Sequence, residues 1–154
     1  MKEQFEGIKR LLDERGLRYE VSEHEPVYTS QDAARIRGED IRTGVKALIF
    51  KTKDSFILCL VPGDRKIDMK KMKAVIKGDA HLANPQEVLE CTGCEVGSVH
   101  PIGAIMDVGR TYADKRILDN EYVNFNAGLH TASIRMKSKD FMDIVKPEIV
   151  DYSR

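Results

Sequence analysis

Two apolar runs separated by a short polar break constrain the fold more than any other part of this 154-residue sequence. They fall within residues 45–52 and 55–61, and Lys53 and Asp54 between them suit a tight hairpin turn. Neither run alternates cleanly between apolar and polar residues, as expected for strands that are covered on both faces. We therefore predict that these two strands are adjacent and antiparallel in the middle of a mixed sheet.

Lys46 is the unusual residue of the first strand, because it shares a strand face with Leu48 and Phe50. A lysine on a buried strand is costly unless its charge is paired or its pKa falls. One interpretation is that its aliphatic stem packs while its amine reaches water. The other is an ammonium held at the mouth of a pocket to meet an anion or a carbonyl oxygen, which the adjacent Gly44 and the basic surroundings favour.

The rest of the sequence interleaves predicted helices and strands without a strict strand–helix repeat. Helices are predicted over residues 3–15 and after caps at Thr29 or Ser30, Asp68, Asn84 and Ser138. Strands are predicted over residues 17–22, 122–126 and 130–136, and residues 110–118 are predicted to form a short strand and a turn around Asp114. No repeat, low-complexity tract or linker divides the sequence. We expect a single α/β domain over residues 1–154, with a central mixed, mostly antiparallel sheet flanked by helices.

Charge and cysteine content limit the class of protein. The 25 lysine and arginine residues are balanced by 25 aspartate and glutamate residues, so binding to nucleic acid must come from a local patch. The amino terminus lacks the apolar segment of a signal peptide, and no segment approaches membrane-spanning length. Three cysteines, an odd number, argue for a reducing compartment. A cytoplasmic location without a membrane partner is expected.

A basic patch surrounds the helix that is predicted after Asp68. Its positive residues are Lys70, Lys71, Lys73 and Lys77 on the helix and Arg65 and Lys66 just before it. Such a charge run is commonly only a solvated face of a helix. The alternative is contact with the phosphates of a nucleic acid.

The glycine-bracketed stretch Gly97-Ser98-Val99-His100-Pro101-Ile102-Gly103 cannot form regular secondary structure. Loops of this kind can turn several backbone N–H groups toward one anion or oxyanion. Together with Lys46 and the basic helix, this loop suits an anionic ligand. No Ser-His-Asp order, Walker pattern or Rossmann glycine pattern is present, so the sequence names no protein nucleophile.

Three further candidates have competing interpretations. Cys91 and Cys94 form a lone C-x-x-C motif without the two additional ligands of a structural zinc site, so we favour structural cysteines over metal or redox chemistry and expect no metal and no cofactor. His130 is either a pocket donor or a surface residue. Asp114 precedes a short turn and is either a helix cap or a general base.

In this order the motifs resemble the YbaK/ProX family of aminoacyl-tRNA deacylases, whose domain is also inserted in bacterial prolyl-tRNA synthetases. The resemblance extends from about His24 to Ile144. The matching positions are His24, Pro26, Thr29, Ala33-Ala34, Lys46-x-Leu48-Ile49-Phe50, Val61-x-Gly63-Asp64, Asp68, Gly97-Ser98-Val99-x-Pro101-x-Gly103, Asp114 and Asn126-Ala127-Gly128. Family members that remove alanine from the tRNA for proline often have Asn after the lysine, whereas this chain has Ala47. The identity of the amino acid that is removed therefore stays open.

The resemblance implies hydrolysis of the ester of a mischarged aminoacyl-tRNA, with water or the substrate's own thiol as the nucleophile. The implied catalytic residues are Lys46, Gly97 and Ser98. The implied substrate-binding residues are His24, Thr29, Val99, Pro101, Gly103, Asp114, Gly128 and His130. The tRNA contacts expected from the charge run itself are Lys70, Lys71, Lys73 and Lys77. The expected partners are tRNA and an aminoacyl-tRNA synthetase, without DNA. The alternatives are a non-catalytic tRNA-binding or regulatory module and a binder of small phosphates or nucleotides.

Overall fold

The computed structural model describes residues 2–154, which form five α-helices and eight strands. The helices are α1 (Lys2–Glu14), α2 (Ser30–Arg37), α3 (Met69–Ile76), α4 (Pro85–Thr92) and α5 (Ser138–Val145). The strands are β1 (Tyr19–Glu23), β2 (Val45–Lys51), β3 (Phe56–Pro62), β4 (His81–Leu82), β5 (Thr111–Asp114), β6 (Tyr122–Asn126), β7 (Ala132–Lys137) and β8 (Glu148–Val150). Short 3₁₀ helices cover Ile41–Thr43, Gly103–Ile105 and Lys115–Asp119.

The strands form a five-stranded mixed sheet in the order β4-β2-β3-β5-β8 and a three-stranded antiparallel sheet in the order β1-β7-β6. The predicted antiparallel pair of β2 and β3 lies in the middle of the larger sheet and is confirmed, with Val45 opposite Pro62 and Lys51 opposite Phe56. Strands β3, β5 and β8 pair in parallel. A parallel bridge between Gly44 and Asn124 brings the two sheets together.

Both faces of the central strands are covered, as the apolar runs indicate. Ile49 belongs to the main core, to which both sheets, α1, α4 and α5 contribute. Its neighbour Phe50 points to the opposite face and packs with Met72 of α3 and with Tyr152 near the carboxyl terminus. Burial of each such side chain contributes about 1.5–3 kcal/mol to the free energy of unfolding.

Local capping signals set most helix ends. The Asp68 side chain accepts from the N–H groups of Lys70 and Lys71, and Asn84 forms a reciprocal capping box with Glu87, so both predicted caps are confirmed. Thr29 caps α2 in the same way.

The predicted cap of α5 is wrong. Ser138 is the first helical residue, and its hydroxyl donates to the carbonyl oxygen of Asn120 at 2.5 Å instead of capping the helix. The N-cap residue of α5 is Lys137, whose side chain makes no capping hydrogen bond. The reason is tertiary, because the loop before β6 supplies a closer acceptor for the Ser138 hydroxyl.

The carboxyl-terminal segment completes the larger sheet after Pro147. Strand β8 pairs in parallel with β5, and Ser153 bridges to Ile67 just before α3. The buried Tyr152 hydroxyl donates to the carbonyl oxygen of Leu60 at 2.9 Å. None of the helices in residues 2–154 has the length and apolar character needed to cross a membrane.

Candidate functional site

A cavity of about 200 Å³ opens where the two sheets meet, between α2, the first half of β2, β6 and the loop around Gly97. Its walls are formed by Tyr28, Thr29, Ser30, Ala33, Ala34, Arg37, Asp40, Ile41, Gly44, Val45, Lys46, Ala47, Leu48, Gly63, Val96, Gly97, Val99, Asn124 and Asn126. Two of these residues, Lys46 and Arg37, carry positive charge on long side chains. The acidic lining residue Asp40 pairs with Arg42 at 3.1 Å, so the cavity combines a small volume with a wall that is cationic at Lys46 and Arg37.

Lys46 stands in the cavity wall in a half-buried position, and its ammonium donates to the carbonyl oxygen of Arg65 at 2.5 Å. Burial lowers the pKa of Lys46, and the positive charge of Lys66 lowers it further, while Asp64 acts in the opposite direction. Its hydrogen-bond acceptor is a neutral carbonyl. The ammonium is therefore available to a negatively charged group in the cavity.

The main chain at Ala47 also faces the cavity. Hydrogen bonds of an antiparallel ladder alternate between the two neighbours of a strand. The N–H of Gly63 donates to the carbonyl of Gly44, whereas the N–H of Ala83 donates to the carbonyl of Ile49. The main-chain N–H and C=O groups of the odd-numbered residues of β2 therefore point away from β3, toward the opposite edge of the strand. Strand β4 pairs with this edge only at residues 50–51. This alternation directs the N–H and C=O groups of Ala47 into the cavity.

Arg37 is the main site residue that the sequence analysis missed. Its guanidinium donates to Ser133 Oγ at 2.8 Å, to Asn124 Oδ1 at 2.6 Å and to Asn126 Oδ1 at 2.8 Å. Burial lowers the pKa of Arg37 to about 10, partly offset by the negative charge of Glu39, so the group stays charged at neutral pH. All three acceptors are neutral, which leaves the positive charge without a carboxylate in direct contact.

The acceptors of Arg37 extend into a polar network around the cavity. Asn126 Nδ2 donates to the carbonyl oxygen of Gly97 at 2.5 Å, which connects α2 to the glycine loop. Ser133 Oγ lies 2.7 Å from His24 Nε2, so the predicted substrate residue His24 supports Arg37 from outside the cavity. The available sequence signal was the spacing of Asn124 and Asn126, two polar residues on one face of a buried strand.

Three of the predicted substrate and loop residues line the cavity together with Lys46, namely Thr29, Gly97 and Val99. Gly97 has a φ of 90°, and a Cβ at this position would approach His130 Cε1 to 3.2 Å. A side chain is therefore excluded both by backbone conformation and by the neighbouring ring. The absence of a side chain at Gly97 therefore allows the main chain of the loop to form part of the cavity wall.

Ser98 and His130 lie beside the cavity rather than in it. The Ser98 hydroxyl and N–H both donate to the carbonyl oxygen of Glu95, at 2.8 Å and 3.0 Å. His130 Nδ1 donates to the carbonyl oxygen of Val27 at 3.0 Å, and its Nε2 lies 3.4 Å from the Glu95 carboxylate. Both residues hold the loop that carries Gly97.

Asp114 is buried away from the cavity and acts as a cap. Its carboxylate accepts from the N–H groups of Arg116 at 3.0 Å and of Tyr152 at 3.2 Å. It also forms a salt bridge of 3.3 Å with the Arg116 side chain. These contacts favour the capping interpretation of Asp114 over that of a general base.

The remaining predicted residues support packing. A Cβ on Gly103 would lie 2.7 Å from Thr111 Oγ1, and one on Gly128 would lie 3.2 Å from Gln4 Cβ. Pro101 is buried in the same loop. These three positions do not line the cavity.

His100 anchors the glycine loop in the core. It is fully buried, accepts from the Ile102 N–H at Nδ1 at 3.1 Å, and donates from Nε2 to Gln4 Oε1 at 2.6 Å. Burial lowers the pKa of His100 to about 3, so the ring is neutral at physiological pH.

Cys91 and Cys94 are buried free thiols, and residues 2–154 contain no cluster of three or more His, Cys, Asp or Glu side chains that could hold a metal ion. That the protein binds no metal stays a prediction.

The predicted tRNA-contacting lysines divide into two groups. Lys70 and Lys73 are exposed one turn apart on α3, and the exposed Lys77 follows as the left-handed C-cap of that helix. Lys71 instead points toward the carboxyl-terminal segment, where its ammonium lies 3.5 Å from Asp151 and 3.4 Å from the carbonyl oxygen of Ser153. Lys73 also has an acidic neighbour, Asp79, at 3.5 Å.

Comparisons with known proteins identify the family to which this chain belongs. A family model described as the aminoacyl-tRNA editing domain matches residues 24–144, which include every residue of the cavity wall. Over 150 residues the chain is 31% identical to the multifunctional Ser/Thr-tRNA deacylase ProXp-y of Escherichia coli (strain K12), covering 94% of this chain and 89% of that protein.

A second relative and a solved structure extend the comparison. The chain is 33% identical over 137 residues to the proline–tRNA ligase of Thermosipho africanus, a match that covers 81% of this chain and only 23% of that ligase. A crystal structure described as that of a candidate trans-editing enzyme for prolyl tRNA synthetase has a TM-score of 0.88 and 26% identity, covering 98% of this chain and 97% of the other.

Proposed function

The chain belongs to the aminoacyl-tRNA editing domain family, and on this premise we propose that it hydrolyses the ester of mischarged aminoacyl-tRNA, releasing free amino acid and tRNA. The observation that carries this proposal is the position of Lys46, whose charge faces a small cavity with only a neutral carbonyl as its partner. Editing in trans is supported by the deacylase relative, since the two chains match over nearly their full lengths.

In the proposed reaction a water oxygen adds to the ester carbonyl carbon and forms a tetrahedral oxyanion. The intermediate then collapses, the bond to the ribose oxygen breaks, and that oxygen takes up a proton from the attacking water. Lys46 and Arg37 bind the phosphate of the 3′-terminal nucleotide and so place the ester in the cavity. Their role is positioning, because no side chain of the cavity wall is a suitable nucleophile.

The oxyanion requires N–H donors that are not already used within the protein. The Ser98 N–H donates to Glu95 and is committed. Gly97 and Val99 line the cavity, and neither N–H group donates to another main-chain group in the described part of the chain. We assign the oxyanion to these two groups, where loss of one donor typically costs about 2.7–4 kcal/mol in the transition state.

The cavity size supports a small amino acid as the substrate. Polar groups of Thr29, Ser30 and Asn124 share its walls with Ala33 and Val99, so the wall offers both hydrogen bonds and apolar contact to a short side chain. This chemistry suits esters of serine, threonine or alanine. The volume of about 200 Å³ favours a short side chain beside the ester.

We extend the proposal to the cellular location of the protein and to its domain organisation. The named relatives act on or with tRNA, which supports a cytoplasmic protein that meets tRNA and an aminoacyl-tRNA synthetase. Residues outside the family match also contribute to the same core, for example Phe5, Ile8 and Leu12 of α1. This shared core supports one domain over residues 1–154.

A deacylation assay against a panel of mischarged tRNAs tests this function. Purified protein should release serine, threonine or alanine faster than the ester hydrolyses spontaneously, and Lys46→Ala in a matched preparation should release them much more slowly than the unmodified protein. Lys139→Ala on the exposed part of α5 is the control. Binding of tRNA without faster hydrolysis of any ester would contradict the enzyme and leave a non-catalytic tRNA-binding module.

A further inference from the structure

Tyr28 combines high exposure with a place in the cavity wall. It is 67% exposed, more than any other large apolar residue in the described part of the chain, and it lies at the rim of the cavity. A single exposed apolar residue is normal on a protein surface. This one stands next to the cationic wall formed by Lys46 and Arg37, and the reaction proposed above does not use it.

The ring of Tyr28 is held in place from one side. Its centroid lies 4.6 Å from that of the His130 ring, with an interplanar angle of 39°. His130 is itself fixed by its bond to the Val27 carbonyl and its contact with Glu95. The Tyr28 ring is therefore ordered before a ligand arrives, and its exposed surface remains available for contact.

Val96 provides a second exposed apolar group on the same rim. It is 53% exposed and lines the cavity. The part of the rim formed by Tyr28 and Val96 is therefore apolar, while the interior carries Lys46 and Arg37. A ligand that matches this arrangement has a flat aromatic group joined to an anionic group, as a nucleotide does.

We propose that Tyr28 stacks on the base of the 3′-terminal adenosine of tRNA, with His130 supporting its ring and Val96 contacting the edge of the base. This inference rests on the proposed function and identifies how the terminal nucleotide is held. Stacking places the base at the rim while Lys46 and Arg37 bind the adjoining phosphate inside. The ester on the ribose is then directed toward Gly97 and Val99.

The chain contains no tryptophan, which makes a direct test possible. Tyr28→Trp introduces a single indole at the rim, and Tyr19→Trp on the edge strand β1 provides the matched control. Each variant is titrated with uncharged tRNA that ends in the terminal adenosine and with the same tRNA lacking it. We expect saturable quenching of the indole fluorescence of Tyr28→Trp only with the complete tRNA, and no response from Tyr19→Trp.

Affinity measurements on two further variants complete the test. Tyr28→Phe keeps the ring and should bind complete tRNA like the unmodified protein, whereas Tyr28→Ala should bind it roughly 5- to 150-fold more weakly. Tyr28→Ala should lose little affinity for tRNA that lacks the terminal adenosine. Thermal unfolding of each variant verifies that it is folded.

Two results would overturn the inference. One is equal quenching by tRNA with and without the terminal adenosine, and the other is unchanged affinity in a folded Tyr28→Ala protein. Because uncharged tRNA has no ester to hydrolyse, these results are independent of deacylation. Deacylation could fail while stacking is observed, or stacking could fail while deacylation persists.

Discussion

The ammonium of Lys46 donates a 2.5 Å hydrogen bond to the main-chain carbonyl oxygen of Arg65. The carboxyl-terminal segment fixes this carbonyl in turn, because the Lys66 N–H of the same peptide unit donates to the carbonyl oxygen of Arg154 at 3.0 Å. Lys46 is therefore oriented without being neutralised. A carboxylate in the place of this carbonyl would satisfy the charge and weaken the attraction for a substrate phosphate.

Lys46→Ala should lower kcat/KM for deacylation by a factor on the order of 10², because misplacement of a bound ester by about 1 Å has an effect of that size. Lys46→Arg should also be impaired, since a planar guanidinium does not replace a compact ammonium. Initial rates on one mischarged tRNA measure the effect, with Lys139→Ala as the control. Full activity of Lys46→Ala would rule out the positioning role.

The pH profile offers a second measurement on the same residue. The pKa of Lys46 is lowered by burial, and the charged form is the one that binds phosphate. Activity above the spontaneous rate should therefore fall as pH rises through this lowered pKa, below the range in which an ordinary lysine loses its proton. An activity that persists through the range of ordinary lysines would contradict this assignment.

Arg37→Lys should raise KM about tenfold, because one ammonium cannot replace three donors directed at Ser133, Asn124 and Asn126. The free energy of unfolding should also fall, by about 1–3 kcal/mol for each buried acceptor left unsatisfied. Steady-state kinetics and denaturant unfolding measure the two effects. The matched control is Arg35→Lys on the same helix, whose side chain is exposed and lies 3.7 Å from Asp32.

Replacing Lys70, Lys73 and Lys77 together by Gln should weaken tRNA binding and flatten its salt dependence. Each lost phosphate contact should reduce the slope of log K against log salt by about 0.7–0.9. Lys71→Gln should have a smaller effect, because Lys71 is engaged with Asp151. Affinity measured at several salt concentrations tests this, and an unchanged slope in the triple variant would mean that these three lysines are only solvated.

The free energy of unfolding should decrease as the pH is lowered from about 6.5 toward 3, owing to His100. Its pKa is lowered to about 3 by burial, so in this range the unfolded chain binds a proton that the folded protein excludes. The contribution is at most about 1.4 kcal/mol per pH unit. Denaturant unfolding of the unmodified protein and of His100→Gln should show a smaller slope in the variant, whereas His81→Gln, at an exposed position, should behave like the unmodified protein.

Features with a local cause were predictable from the sequence. The hairpin of β2 and β3 follows from two apolar runs and a polar turn, and the caps Asp68 and Asn84 act within one helical turn. The unusual position of Lys46 was also visible, because strand periodicity alone places it beside Leu48 and Phe50. Periodicity and capping need no information about the rest of the chain.

Functional assignments that depended on distant contacts required the tertiary structure. The capping role of Asp114 depends in part on the Tyr152 N–H, which donates to its carboxylate from the far end of the chain. Lys71 is directed toward Asp151, a contact that its spacing from the other lysines does not predict. Ser98 carries a hydroxyl in the glycine loop, but Glu95 takes both of its donors. Sequence spacing does not reveal which partner a polar group finds.

The sequence by itself determined the central strand pair, the helix ends with local caps and the presence of a lysine where a strand should be apolar. Only the tertiary structure decided that this lysine faces a cavity and that Arg37 shares the cavity with it. Arg37 and its acceptors Asn124 and Asn126 are 87 and 89 residues apart in the chain. Residues so distant in sequence meet because two sheets join at the bridge between Gly44 and Asn124, and no local pattern encodes that meeting.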